Sequence, residues 1–78
     1  MKFLVNLKTV EDVKTFVKSA ENYDCDIMVQ NRDRAFMVDG ASVMGMFSLD
    51  LRTPVIVHIK DTAIGEKFKD DVAGFVVE

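Results

Sequence analysis

The sequence predicts a single α+β domain over residues 1–78, an open-faced sandwich in which three helices cover one face of a four-stranded antiparallel sheet. Four short segments alternate between apolar and polar residues, as half-buried strands do, and three segments repeat apolar residues every three or four positions, as amphipathic helices do. Turn residues and a single proline separate these segments. The predicted order is strand, helix, strand, strand, helix, strand, helix.

The first strand and the first helix are predicted from the amino-terminal pattern. Residues 2–8 alternate and place Phe3, Val5 and Leu7 on one side. Thr9 can cap the helix that follows, and Asp12 stands at the spacing that completes a capping box. The apolar positions of this helix are Val10, Val13, Phe16, Val17 and Ala20.

Residues 25–30 and 34–39 alternate in the same way and predict a hairpin, with its turn at residues 31–33. Ser42 can cap a short second helix. Pro54 forbids a helical continuation and opens a fourth strand over residues 55–60. Asp61 or Thr62 starts the last helix. The expected inward residues are Cys25, Ile27, Val29, Phe36 and Val38 in the hairpin, Val55, Val57 and Ile59 in the fourth strand, and Ile64, Phe68, Val72, Phe75 and Val76 in the last helix.

The second helix has more apolar surface than one neighbour can cover. At about 100° per residue its apolar side chains span an arc of roughly 220°, about twice the stripe that a surface helix needs. Met46 and Leu49 lie at one end of this arc and are expected to be buried. Val43, Met44, Phe47 and Leu51 lie at the other end, so that a partner can bind there. The alternative is a helix buried nearly all round between two layers.

Composition and charge limit the functional class. The chain has ten Lys and Arg against thirteen Asp and Glu, interleaved along the sequence, and its net charge of −3 argues against nucleic acid as a partner. Cys25 is the only cysteine, and no leader-like segment or long apolar run occurs, which favours the cytoplasm and argues against membrane insertion. No cofactor or metal motif is present, so we expect neither group.

Residues 38–49, with Ser42 at their centre, resemble the segment around the regulatory serine of the HPr family, the small phosphocarrier proteins of the bacterial sugar phosphotransferase system. The order of elements is similar over nearly the whole chain. In that family Enzyme I phosphorylates a histidine that caps the first helix and precedes Ala-Arg-Pro, and a sugar permease receives the phosphoryl group. Here Thr9 stands at the histidine position, followed by Val10, Glu11 and Asp12.

The missing histidine argues against carrier chemistry. A phosphohistidine can pass its phosphoryl group on, whereas Thr9 could form only a phosphoester, and the carboxylates of Glu11 and Asp12 would repel a phosphoryl group. We therefore expect no enzymatic role. His58 is the only histidine, and the strand pattern directs it to the outer face of the sheet.

The resemblance implies a regulatory site and a binding surface. Ser42 matches the serine that an HPr kinase phosphorylates, although Ala41 replaces the basic residue common before it. Val43, Met44 and Phe47 match the apolar surface through which the family binds Enzyme I, permease domains and the kinase. We expect a protein-binding or regulatory module. A phosphocarrier that uses another residue, such as His58, and a small-ligand regulatory domain of ferredoxin-like type are the alternatives.

Overall fold

Five antiparallel strands form one sheet in the computed structural model of this protein, which describes residues 1–77. The sheet order is β3-β2-β4-β1-β5. The strands are β1 (Lys2–Val5), β2 (Ile27–Asn31), β3 (Val38–Asp39), β4 (Val55–Ile59) and β5 (Val76–Val77), and the helices are α1 (Val10–Ala20), α2 (Val43–Phe47), α3 (Thr62–Asp71) and a 3₁₀ turn (Ala73–Phe75). The predicted α+β class and its three α-helices are confirmed.

The central strand of the sheet is β4, which lies between β1 and β2. β1 pairs with β4 through Phe3 and Val57, and β2 pairs with β4 through Val29 and Val57. A ferredoxin-like sheet instead places its third strand between the first two. The alternative of that fold type therefore does not describe this chain.

One face of the sheet packs against the helices. The predicted inward residues of β1, β2 and β4 are buried, and they form one cluster with buried side chains of the helices, including Phe16 and Phe68. These two phenylalanine rings meet edge to face at 5.2 Å between centroids. Because both α1 and α3 contribute an aromatic ring to the same cluster, the helices lie on one side of the sheet.

The helices begin where the sequence predicts. Thr9 caps α1 and accepts a hydrogen bond from the Asp12 backbone N–H at 3.0 Å, and the predicted capping box is present. Ser42 caps α2 and Asp61 caps α3. Each cap satisfies a backbone N–H that has no partner inside its helix.

The second strand of the predicted hairpin is much shorter than expected. Only Val38 and Asp39 of residues 34–39 pair with β2, and Phe36, predicted to point inward, is exposed. The Arg34 backbone closes a turn instead, since its N–H donates to the Asn31 carbonyl and its own carbonyl accepts from the Gln30 side chain. These bonds hold the chain in a loop over residues 32–37.

The prediction of four strands is wrong, because the carboxyl-terminal segment forms a fifth. The last helix was expected to continue through Phe75 and Val76, but α3 ends at Asp71 and Val76 pairs with Val5 of β1. The Asn6 N–H donates to the Phe75 carbonyl at 2.8 Å and starts this pairing. The free edge of β1 can form hydrogen bonds with the β-branched segment Val76–Val77. If this segment were helical, those backbone groups of β1 would have no strand partner.

Candidate protein-binding surface

The short helix α2 is held against the sheet by the residues just before it. The Gly40 N–H donates to the Ile27 carbonyl at 2.7 Å, and a Cβ at Gly40 would come within 2.9 Å of that same oxygen. Ser42 Oγ then accepts the Gly45 N–H at 3.1 Å. The close approach that glycine permits therefore fixes where α2 begins and which way it faces.

The division predicted by the helical wheel is confirmed for the residues of α2 and for Leu49, but it is wrong for Leu51, which lies beyond the end of the helix and is half-buried against the core. Met46 and Leu49 are 0% and 6% exposed, whereas Met44 is 85% exposed. Val43 and Phe47 are also exposed, at 41% and 43%. The alternative of a helix buried nearly all round is therefore wrong.

Val10 extends this apolar surface, although the sequence placed it on the core side of α1. It is 53% exposed and lines a groove of about 320 Å³ together with Thr9, Phe47 and Arg52. Val10 is the first residue of α1, and burial on this helix begins only one turn later, at Val13. We call Val10, Val43, Met44 and Phe47 the docking surface.

Thr9 lies at the edge of the docking surface and forms the capping box of α1 together with Asp12. Asp12 Oδ2 accepts the backbone N–H groups of Lys8 and Thr9, at 2.9 and 3.3 Å. The start of α1 therefore already contains one carboxylate bonded to backbone N–H groups. Glu11 adds a second carboxylate to the first turn and forms an ion pair with Lys14 at 4.0 Å.

Arg52 is a functional candidate that the sequence did not single out. Its guanidinium donates to both carboxylate oxygens of Asp50, at 3.0 and 2.7 Å, and this bonding holds the pKa of the Asp50 carboxyl well below its usual range. Arg52 and Thr9 line the same groove although 43 positions separate them in the sequence. Only the tertiary fold brings the two together.

His58 lies on the open face of the sheet, as the alternation predicts, and is half-buried. Its ring Nε2 is hydrogen-bonded to Gln30 Oε1. Desolvation, then the charges of Lys2 and the N-terminal ammonium, lower the pKa of His58. His58 and the docking surface therefore lie on opposite sides of the sheet.

Within residues 1–77, no helix combines the length and the apolar character needed to cross a membrane. In the same part of the chain, no three His, Cys, Asp or Glu side chains are grouped so that they could hold a metal ion. No family model matches the sequence, and a search of curated proteins returns no significant match.

Proposed function

We propose that this chain is a cytoplasmic, non-catalytic protein-binding module of HPr-like type, which binds a partner protein through the docking surface. The observation that supports this most directly is the joint exposure of four apolar side chains, one at the start of α1 and three along α2. Together they expose on the order of 400 Å², within the size range of the apolar patches through which monomeric proteins interact. Such a patch costs solubility unless a partner covers it.

The size of the docking surface favours a transient partner. A standard stable interface buries about 800 Å² on each side, roughly twice what these four side chains offer. Met44 and Phe47 are the natural anchors, because a methionine adapts to irregular surfaces and an aromatic ring buries a large area. By resemblance, the partners are Enzyme I, a permease domain or an HPr kinase.

The start of α1 supports a non-catalytic role. Thr9 provides no nitrogen for a phosphoramidate, and the Asp12 carboxylate is held at this cap by the backbone N–H groups of Lys8 and Thr9. A phosphoryl group at this cap would be repelled by the carboxylates of both Asp12 and Glu11. The local charges therefore favour helix stability over phosphate transfer.

Ser42 is the residue through which we propose that binding is regulated. It directly precedes Val43 and lies two positions before Met44, so a phosphate on its Oγ would place about two negative charges near these apolar residues. An apolar partner would then have to desolvate those charges on binding. Phosphorylation of Ser42 is expected to weaken the binding of a partner that covers Met44 and to leave the fold intact.

Binding can be tested with purified Enzyme I, a permease domain and an HPr kinase, each titrated into the isotope-labelled chain and followed by NMR. We expect chemical-shift changes at the docking surface with one of them. Phe47→Glu should weaken that binding by about tenfold or more. Phe36→Glu is the matched control, because Phe36 is similarly exposed, at 52%, and lies outside the docking surface. Equal losses in the two variants, or no binding to any of the three, would contradict the proposal.

A second experiment separates this proposal from carrier chemistry. Incubation with Enzyme I and radiolabelled phosphoenolpyruvate should leave the chain unlabelled. Acid-labile label lost in His58→Gln would instead establish a phosphocarrier that uses His58. Incubation with an HPr kinase and labelled ATP should place acid-stable phosphate on Ser42, and label that persists in Ser42→Ala would reject that residue as the regulatory site.

A further inference from the structure

The open face of the sheet, which the helices leave uncovered, contains an apolar row across the neighbouring strands β5, β1 and β4. Val77 pairs with Leu4, and Leu4 pairs with Ile56, so the three side chains lie side by side on this face. All three are half-buried. An antiparallel sheet with one solvated face normally directs its polar residues outward. An apolar row on the outer side is what a second protein layer would cover.

A second row on the open face changes its charge from one side of the sheet to the other. Lys2 of β1 pairs with His58 of β4, and His58 pairs with Met28 of β2. Met28 in turn pairs with Asp39 of β3. Residues that pair directly share a face, so this row has an exposed cation at one end and an exposed carboxylate at the other. The arginines of loop 32–37 lie beyond the far end of β2, away from this row.

Charged residues just outside the strands extend the same division. Lys60 follows β4 and Asp26 precedes β2, and both line a groove of about 620 Å³ at this end of the open face. The N-terminal ammonium lies on the cationic side, where it donates to the Ile59 carbonyl at 2.7 Å. Asp61 also lines the groove, but its Oδ1 accepts the Ile64 N–H at 3.1 Å and caps α3. Cations therefore lie along β1 and β4, and carboxylates along β2 and β3.

We propose that the open face binds a second copy of this chain and forms a symmetric dimer by packing sheet on sheet. A twofold axis parallel to the strands reverses the strand order, so β1 of one copy lies over β2 of the other. Lys2 is then offset by one strand spacing, about 5 Å, from Asp39 of the second copy, which a lysine side chain can span. Lys60 is offset in the same way from Asp26 of the second copy. Symmetry makes each of these contacts twice.

The size of the open face predicts a weak dimer. Five strands about 4.8 Å apart and about 17 Å long cover at most about 400 Å², half of what each partner buries in a standard stable interface. The apolar row supplies the attraction. The charges favour a second copy over another apolar partner, because their pattern is complementary to itself. The docking surface lies on the helix side and stays free in this dimer, so the two proposals are independent.

Sedimentation of the full chain over a range of concentrations at low ionic strength measures dimerisation. The parent chain should dimerise. Lys2→Glu and Asp39→Lys should each weaken the dimer by about tenfold or more, because each brings like charges together twice. An equimolar mixture of these two variants should recover the parent affinity, since both contacts of the mixed dimer then join opposite charges. Lys60→Glu and Asp26→Lys repeat the test at the second pair of contacts.

Two control variants locate the interface. Lys67→Glu changes the net charge as Lys2→Glu does, but Lys67 is exposed on α3 in the helix layer, so the dimer should persist. Ile56→Glu should abolish the dimer, whereas Phe47→Glu on the docking surface should not. Thermal unfolding of each variant distinguishes a lost contact from a lost fold.

Three outcomes would overturn the dimer. A parent chain that stays monomeric at millimolar concentration rejects it, and signals of Leu4 and Ile56 that shift with Enzyme I, a permease domain or an HPr kinase would assign the open face to that protein instead. A loss in Phe47→Glu with none in Ile56→Glu would move the interface to the docking surface. A mixture of Lys2→Glu and Asp39→Lys that does not recover the affinity would reject the twofold arrangement.

Discussion

Asn31 ties the end of β2 to the loop that follows α2, and its replacement should have the largest effect of any single polar side chain in the protein. It is 2% exposed. Its Nδ2 donates to the Asp50 carbonyl at 2.6 Å, and its Oδ1 accepts the Asp50 N–H at 3.0 Å. This pair of bonds fixes residues 48–54 against the sheet and so helps position α2 and the docking surface.

The cost of Asn31→Ala follows from these two bonds. Each contributes about 0.5–1.5 kcal/mol net, and the peptide groups of the half-buried Asp50 would lose their partners. A loss of about 2–4 kcal/mol is expected. A protein of this size has a free energy of unfolding of about 4–12 kcal/mol, so the loss is a substantial fraction of the total. With a urea m-value of about 1 kcal/mol/M, the unfolding midpoint should fall by about 2 M or more.

Urea unfolding at 25 °C, followed by circular dichroism, measures this shift. Asn22→Ala is the matched control, because Asn22 is exposed in the turn after α1 and should change stability by less than about 0.5 kcal/mol. Hydrogen exchange at the Asp50 amide should also accelerate in Asn31→Ala. A midpoint shift no larger than that of Asn22→Ala, with the Asp50 amide still protected, would refute the assigned role of Asn31.

Three further predictions concern packing, capping and pH. Gly40→Ala should destabilise the fold by about 1–3 kcal/mol, because its Cβ would press against the Ile27 carbonyl and the Phe16 ring; an unchanged thermal midpoint would contradict this. Ser42→Ala should cost about 1 kcal/mol in urea unfolding while Ser42→Asp retains most of the cap, so equal losses in both would disprove the capping role. His58 should titrate below about 6.5 by NMR, since burial and neighbouring cations disfavour its charged form. The unfolded chain then binds the His58 proton more tightly than the folded chain, so stability should fall as the pH drops through about 6.5 and level off below the folded pKa. A native pKa at or above 6.5 would contradict this.

Much of the fold could be predicted because local pattern and burial agree. The alternating residues of β1, β2 and β4 are buried as expected, since a period of two directs every second side chain to the same face. Thr9 and Ser42 cap their helices as predicted, because capping depends on residues within one turn. Strand ends were less predictable: β3 is shortened by turn bonds at Arg34, and β5 depends on a free edge of β1.

In the candidate sites, too, some residues are predicted by sequence spacing and others are brought together only by the fold. A helical wheel separates Met44 and Phe47 from Met46, because the direction of a side chain on a helix is set by sequence spacing alone. The addition of Val10 to that surface depends on where α1 meets the rest of the fold. Nothing in the sequence indicates that Met28 faces His58, because no local rule gives the register of strands so far apart along the chain.

The sequence by itself determined the α+β class, the inward faces of the three longer strands, the helix caps and the exposed side of α2. Each of these depends on residues a few positions apart, whose geometry the backbone sets locally. The tertiary structure alone decided the fifth strand, the bonding of Asn31 to Asp50, the groove shared by Thr9 and Arg52, and the pairing of Met28 with His58 across β2 and β4. These features join distant segments, and their geometry is set by strand order and register, which the packing of the whole core selects.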